Sequence, residues 1–211
     1  TWEGCVTNST GTSVTSIGNY IYATGTKRLT SSQWILNRGL LSFNVSSIPS
    51  DAIITSAEIT FYVHTYIIND VGGNHMKMYR WTGGPIYGTD DYNDFDTDAV
   101  TSQVETITST GADKKFPING TLLNWLQNNP QGDSNSFNVM IRNRYDYDYA
   151  SLSDPTDINA VLFRSNDYST TSHRPVLTIN YHQYNEEISG VDFHDEINGI
   201  DMTAVDEINS V

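Results

Sequence analysis

The chain has 211 residues, with 25 acidic against 11 basic side chains and a formal net charge of -14. This length suits one domain with a sizeable core, and the acidic balance argues against nucleic acid and anionic membrane surfaces, which both need a basic footprint. No apolar run approaches the roughly 20 residues of a membrane-spanning helix, so no membrane insertion is expected, and the single Cys5 rules out an internal disulfide.

Thr1 in first place, with no signal-like apolar segment behind it, suits a mature secreted chain, so an extracellular or cell-surface location is expected. Residues 1–16 are rich in Ser, Thr, Gly and Asn and form an N-terminal arm with too few apolar groups to fold alone. A first strand is predicted over 17–24, a second over 34–45 and a third over 53–66. In the second, Leu41, Phe43 and Val45 recur with period two, and in the third Ile53, Ala57, Ile59, Phe61 and Val63 do the same. Each run therefore presents one face to a core, with Ile48-Pro49-Ser50-Asp51 as the turn between them. The even positions of the third strand, Tyr62, His64 and Tyr66 among them, are expected to face outward.

Further on, 75–81 reads as a short strand with Met76 and Met78 on one side, and 82–98 as a long loop rich in Asp. Residues 99–108 suit another strand, and 111–115 a turn. Leu122, Leu123, Trp125 and Leu126 have helical spacing between a polar cap and Asn129-Pro130, and this is the single short helix expected. Residues 137–144 alternate through Phe137, Val139 and Ile141 and lead into a polar Tyr/Asp loop, and closing strands are predicted over 160–165 and 174–181. Many short strands, frequent turn signals and almost no helix predict an all-β fold: an antiparallel jelly roll or β-sandwich over 17–182 with extended terminal segments.

The run Phe43, Ser46, Ser47, Ile48, Pro49, Ala52, Ile54, Ala57, Ile59 and Phe61, with Phe163-Arg164-Ser165 and Arg174-Pro175-Val176-Leu177 before Tyr181, resembles the DNRLRE domain family of secreted bacterial and archaeal proteins. The resemblance covers about residues 17–182 and implies a polysaccharide-associated β-sandwich of the carbohydrate-binding kind. The middle of the chain departs from it, since Tyr92 and the Tyr145 cluster stand where a second tryptophan beside Trp81 is expected.

Residues 183–211 contain eight acidic residues, no Lys or Arg, and a degenerate repeat starting at Glu187, Glu196 and Glu207. Ile188, Val191, Phe193, Ile197, Ile200, Met202, Val205 and Ile208 give this tail apolar surface that it cannot bury on itself, so it is expected to dock on a sheet edge, its own or another copy's.

Four candidate sites follow. Asp90, Asp91, Asn93, Asp94, Asp96 and Asp98 offer hard oxygen ligands at the close spacing a Ca²⁺ loop uses, although the Gly and distal Glu of an EF-hand are missing. A glycan would need exposed rings with polar neighbours, for which Trp81, Tyr87, Tyr92, Tyr145, Tyr147 and Tyr149 are candidates, with Arg142 and Arg144 to pair acidic sugars. Asn8, Asn44 and Asn119 begin glycosylation sequons. The tail residues named above are the candidate assembly surface. The five histidines show no metal-ligand spacing and no nucleophile motif is present, so no catalytic residue is expected. The sequence thus points to a non-catalytic extracellular subunit forming a surface fibre or coat from copies of itself, with a carbohydrate-binding module for acidic polysaccharide as the alternative.

Overall fold

A computed structural model of the chain describes residues 19–28, 33–68, 74–83, 94–101, 105–148, 158–183 and 204–209. In chain order the strands are β1 Tyr20–Arg28, β2 Gln33–Asn37, β3 Gly39–Asn44, β4 Ile53–Ile68, β5 Asn74–Trp81 and β6 Phe95–Val100. They continue with β7 Glu105–Ile107, β8 Ala112–Ile118, β9 Ser136–Asn143, β10 Ile158–Arg164, β11 Val176–Gln183 and β12 Ala204–Asn209. Two helices, α1 Gly120–Asn128 and the single turn α2 Arg144–Tyr147, accompany them.

The strands form two antiparallel sheets, an all-β sandwich. The larger runs β12-β11-β4-β10-β1-β2 with β8 also on β4, and the smaller runs β3-β9-β5-β6 with β7 also on β5. These sheet orders define a β-sandwich. The long β4 is the frame of the larger sheet. Its residues 57–60 pair with β8 and with β11, so those two strands lie on opposite edges. Val63 pairs with Ala112 of β8 and with Phe163 of β10, which puts β10 on the edge that β11 holds further back. The chain therefore runs along one edge of β4 as β10, leaves it over residues 165–175, and returns as β11.

Alternation buries Ala57, Ile59, Phe61 and Val63 of β4, Leu41, Phe43 and Val45 after and within β3, and Phe137, Val139 and Ile141 of β9, as their period of two requires. Phe61 meets Phe116 edge-on at 5.2 Å between ring centroids and Phe163 at 4.8 Å, while Phe116 and Phe163 are 5.7 Å apart, so three strands share one aromatic cluster. Helix α1 closes this core with Leu122 and Leu126, and its Trp125 stacks on Phe137 at 6.2 Å.

Several expectations are corrected. The strand predicted over 34–45 is two strands, β2 and β3, in different sheets, and the chain changes sheet at Arg38. Ile53 is 42% exposed whereas Ile54 is buried, because the register shifts opposite Asn180 and Tyr181 and this bulge reverses the inward phase. A second shift, opposite Leu162 and Phe163, leaves His64 as the extra residue and turns Tyr66 to pack against the core. The predicted turn at 111–115 is the start of β8, with Phe116 and Ile118 buried. The end of the expected loop, from Phe95, is β6, and the Tyr/Asp loop after β9 begins with α2.

Replacing Phe61 with Ala removes the ring common to two contacts of the cluster. The expected cost is about 3–5 kcal/mol in urea unfolding, as for large buried aromatics. A loss below about 1 kcal/mol would show that the neighbouring rings close the gap.

Candidate functional site

The outer side of the smaller sheet holds a buried ionic centre. Asp146 of α2 accepts two hydrogen bonds from Arg38, Nε to Oδ2 at 2.8 Å and Nη2 to Oδ1 at 2.7 Å. It accepts two more from Arg142 of β9, Nε to Oδ2 at 2.8 Å and Nη2 to Oδ1 at 2.8 Å, and Arg142 Nη2 also donates to the Asp146 carbonyl at 3.1 Å. The side chains of Arg38 and Asp146 are 2% and 1% exposed, and that of Arg142 is 6% exposed, so water does not share the charge. Each guanidinium forms the two-pronged pair that its planar fork favours. Asn143 caps α2 by accepting from the Asp146 amide, which sets the carboxylate over β9. Aromatic faces complete the centre. Arg142 lies 4.2 Å from the Phe95 ring centroid and 4.9 Å from that of Tyr79, and Arg38 lies 5.4 Å from Phe95.

Burial alone would raise the Asp146 carboxyl, but the hydrogen bonds from Arg142 and Arg38 and their charges outweigh it and hold the group below its ordinary value of 3.8. Tyr79 and Tyr147 move the other way, chiefly through burial. The centre therefore has a committed anion and two phenols that stay protonated.

A second constellation covers the outer face of the larger sheet. Tyr62 of β4 stacks on His173 at 3.7 Å, His173 on Tyr168 at 5.8 Å, and the Arg164 guanidinium lies 3.8 Å from the Tyr168 centroid. The same guanidinium is 4.9 Å from the Tyr20 ring, and Tyr20 stacks on His64 at 4.7 Å. All six residues are half-buried. The row begins and ends on β4 at alternate positions, and it fastens the excursion 165–175 to the sheet. Partial desolvation, then the charge of Arg164, lowers the pKa of His64 from 6.5. A depressed histidine contributes stability that is present above 6.5 and lost as pH falls through the folded value, so acid loosens this row.

The sequence candidates divide accordingly. Trp81 is buried, and Arg142 is buried and bound to Asp146, so neither presents a face to a glycan; apolar and ionic packing claimed both. Arg144 is 39% exposed, 3.6 Å from Asp148, and Tyr147 is half-buried with Lys77 Nζ 4.9 Å from its ring centroid. Tyr87, Tyr92 and Tyr149, with Asp90, Asp91 and Asn93, lie outside the described residues, and Tyr145 is placed only as part of α2. Asp94 and Asp98 are exposed, while Asp96 accepts from Arg80 at 3.3 Å and from the Asp98 amide at 2.9 Å. Among the described residues no three His, Cys, Asp or Glu side chains converge on a metal position.

Asn44 is exposed and accepts from the Ser46 amide at 2.9 Å, and Asn119 stands at the N-cap of α1 while Thr121 bonds the backbone of Val100. Asn8 is outside the described residues, as are Ile188, Val191, Phe193, Ile197, Ile200 and Met202. Val205 and Ile208 belong to β12, which pairs antiparallel with β11 and places Val205 opposite His182 and Ile208 opposite Ile179. Arg38, Phe95, Tyr20, Arg164, Tyr168 and His173 were not among the candidates. One signal existed: Arg38 lies between two strand-like runs and Arg142 directly follows Val139-Met140-Ile141, in a chain with only 11 basic residues.

No family model matches the chain, and no curated protein matches it.

Replacing Asp146 with Asn keeps the shape and removes the charge, leaving two buried guanidinium groups without their carboxylate. The expected cost is about 3–5 kcal/mol by urea unfolding at pH 7. The native protein should lose stability as pH falls below about 3.8, where the unfolded carboxyl takes up a proton that the folded one resists, and the variant should lack that part of the acid limb. Equal acid profiles would contradict the assignment.

Proposed function

We propose that this chain is a non-catalytic, extracellular structural subunit, a β-sandwich that assembles into a surface fibre or coat through its terminal segments. The observation that carries the proposal is β12. This last strand continues the larger sheet by pairing with β11 through residues 204–209, so the acidic tail ends in a segment able to add itself to a sheet edge. Backbone hydrogen bonds supply such an attachment, and they are indifferent to whether donor and acceptor share a chain. The Ser/Thr-rich arm before β1 is a second terminal segment without a core of its own.

Removing residues 184–211 and measuring mass by light scattering against the full chain tests the proposal. The expected result is loss of assembled species with the sandwich's near-ultraviolet signal retained. Assembly of the truncated chain at an unchanged concentration would end it.

A second reading, binding of acidic polysaccharide, draws on the row Tyr62, His173, Tyr168, Arg164, Tyr20 and His64, which gathers five half-buried rings around one cation on the outer face. Retardation in a polyuronate-containing gel is the expected behaviour, and Arg164→Ala should weaken it about tenfold, as loss of a charge-assisted pair does. Mobility that is the same with and without the polymer rejects this second reading.

A further inference from the structure

The position of β12 says more than that the tail is sticky. Gln183 and Ala204 are paired neighbours, yet residues 184–203 connect them, whereas a tight β-hairpin uses two to five residues. Closing a connection of this length is about tenfold less probable than closing a four-residue turn, because closure entropy grows with loop length. The home pairing therefore lacks the advantage that a tight turn confers. The acceptor also carries no defence. β11 reads VLTINYHQ, with no Pro, Lys or acidic residue to block a further strand on the edge that faces away from β4.

We infer that β11 is a strand-acceptor edge shared between copies of this chain: β12 of one copy pairs with β11 of the next in the antiparallel register Thr178 to Asn209 through Gln183 to Ala204. This rests on the assembly reading and adds to it the partner, the edge and the register. The charges in the strand allow it. Asp206 and Glu207 stand opposite Tyr181 and Asn180, so no like-charged pair faces across the ladder. The opposing term is the net charge of -14 on each copy, which makes exchange stronger as salt screens it. Asp195-Glu196-Ile197-Asn198 repeats Asp206-Glu207-Ile208-Asn209 letter for letter, so the tail contains the core of the donor segment twice.

The test uses full-length chains in which Cys5 is replaced by Ser. One chain carries Thr178→Cys and the other Asn209→Cys; they are mixed, dissociated, reassembled and oxidised, and covalent pairs are read on a non-reducing gel. Strand partners stand within disulfide reach, so exchange is expected to yield a covalent pair of the two different chains. A chain carrying both substitutions that closes only on itself, with no covalent pair in the mixture, would overturn the inference. If light scattering still shows assembly in that case, the assembly reading stands and the acceptor edge is wrong; absence of assembly in the unsubstituted chain defeats both. In a further variant Asn-Gly replaces residues 184–203, giving a two-residue hairpin that holds β12 at home. Carried in both cysteine chains, it is expected to cut the yield of mixed pairs at least tenfold, and an unchanged yield also overturns the inference.

Discussion

Asp146 lies where water does not reach, between two arginines that come from distant parts of the chain. Such a centre costs several kcal/mol of desolvation per ion and recovers it only when geometry and hydrogen bonds are complete. Here four side-chain hydrogen bonds at 2.7–2.8 Å converge on one carboxylate, and aromatic rings pack against both guanidinium planes. What this fixes is topological. Arg38 is the residue at which the chain leaves β2 in one sheet for β3 in the other, and Asp146 sits on the turn of helix that ends β9. The ion pair thus ties the crossover between sheets to the outer side of the smaller one, where Tyr79 and Met140 are buried as well. An apolar trio could fill the same volume but would not demand the same partners.

The larger sheet is organised by the length of β4 and by its two irregularities. A strand that kept strict alternation over 16 residues would twist steadily and hold one phase throughout. The bulges opposite Asn180 and Leu162 change the phase at each end, burying Ile54 in place of Ile53 and turning Tyr66 inward. Between them Phe61 and Phe116 sit in the regular pairing of β4 with β8, and Phe163, at the second shift, completes the aromatic cluster. Regular alternation puts Tyr62 on the outer face, where His173 of the excursion stacks on it, and the second bulge leaves His64 as the extra residue, stacked on Tyr20 of β1. The irregularity that turns Tyr66 inward therefore also supplies one member of the outer row.

Much of the sandwich was legible because alternation reports burial directly. Leu41, Phe43, Ala57, Ile59, Phe61, Phe137 and Ile141 all lie where period two puts them. What escaped was every place where a residue's environment depends on a distant partner. Apolar residues two positions away on either side of Arg38, Leu36 and Leu40, let the two strands be read as one, so the change of sheet was invisible until Asp146 was brought to it from over 100 positions away. Arg142 and Trp81 looked like surface candidates, but both are buried, Arg142 beneath Asp146 of α2 and the Phe95 ring. The start of β8 carries polar residues and so looked like a turn, although Phe116 and Ile118 mark its inner face. Local chemistry named the strands; partner choice needed three dimensions.

The strand β12 depends on one partner, β11, with which it pairs from Ala204 to Asn209. β11 is held on one side by β4 through seven register pairs and by the burial of Leu177, Ile179 and Tyr181, so it persists whether or not a strand lies on its other side. β12 contributes six register pairs to that free side. Its connection is too long to behave as a hairpin turn, so at high local concentration a neighbour's strand competes with the one at home on nearly equal terms, the effective concentration of a tethered segment being on the order of millimolar. A subunit held at a surface or along a fibre meets that condition, and a dilute one does not. Assembly of this kind is governed by local concentration and salt more than by new contacts, since the ladder exchanged is the ladder already made.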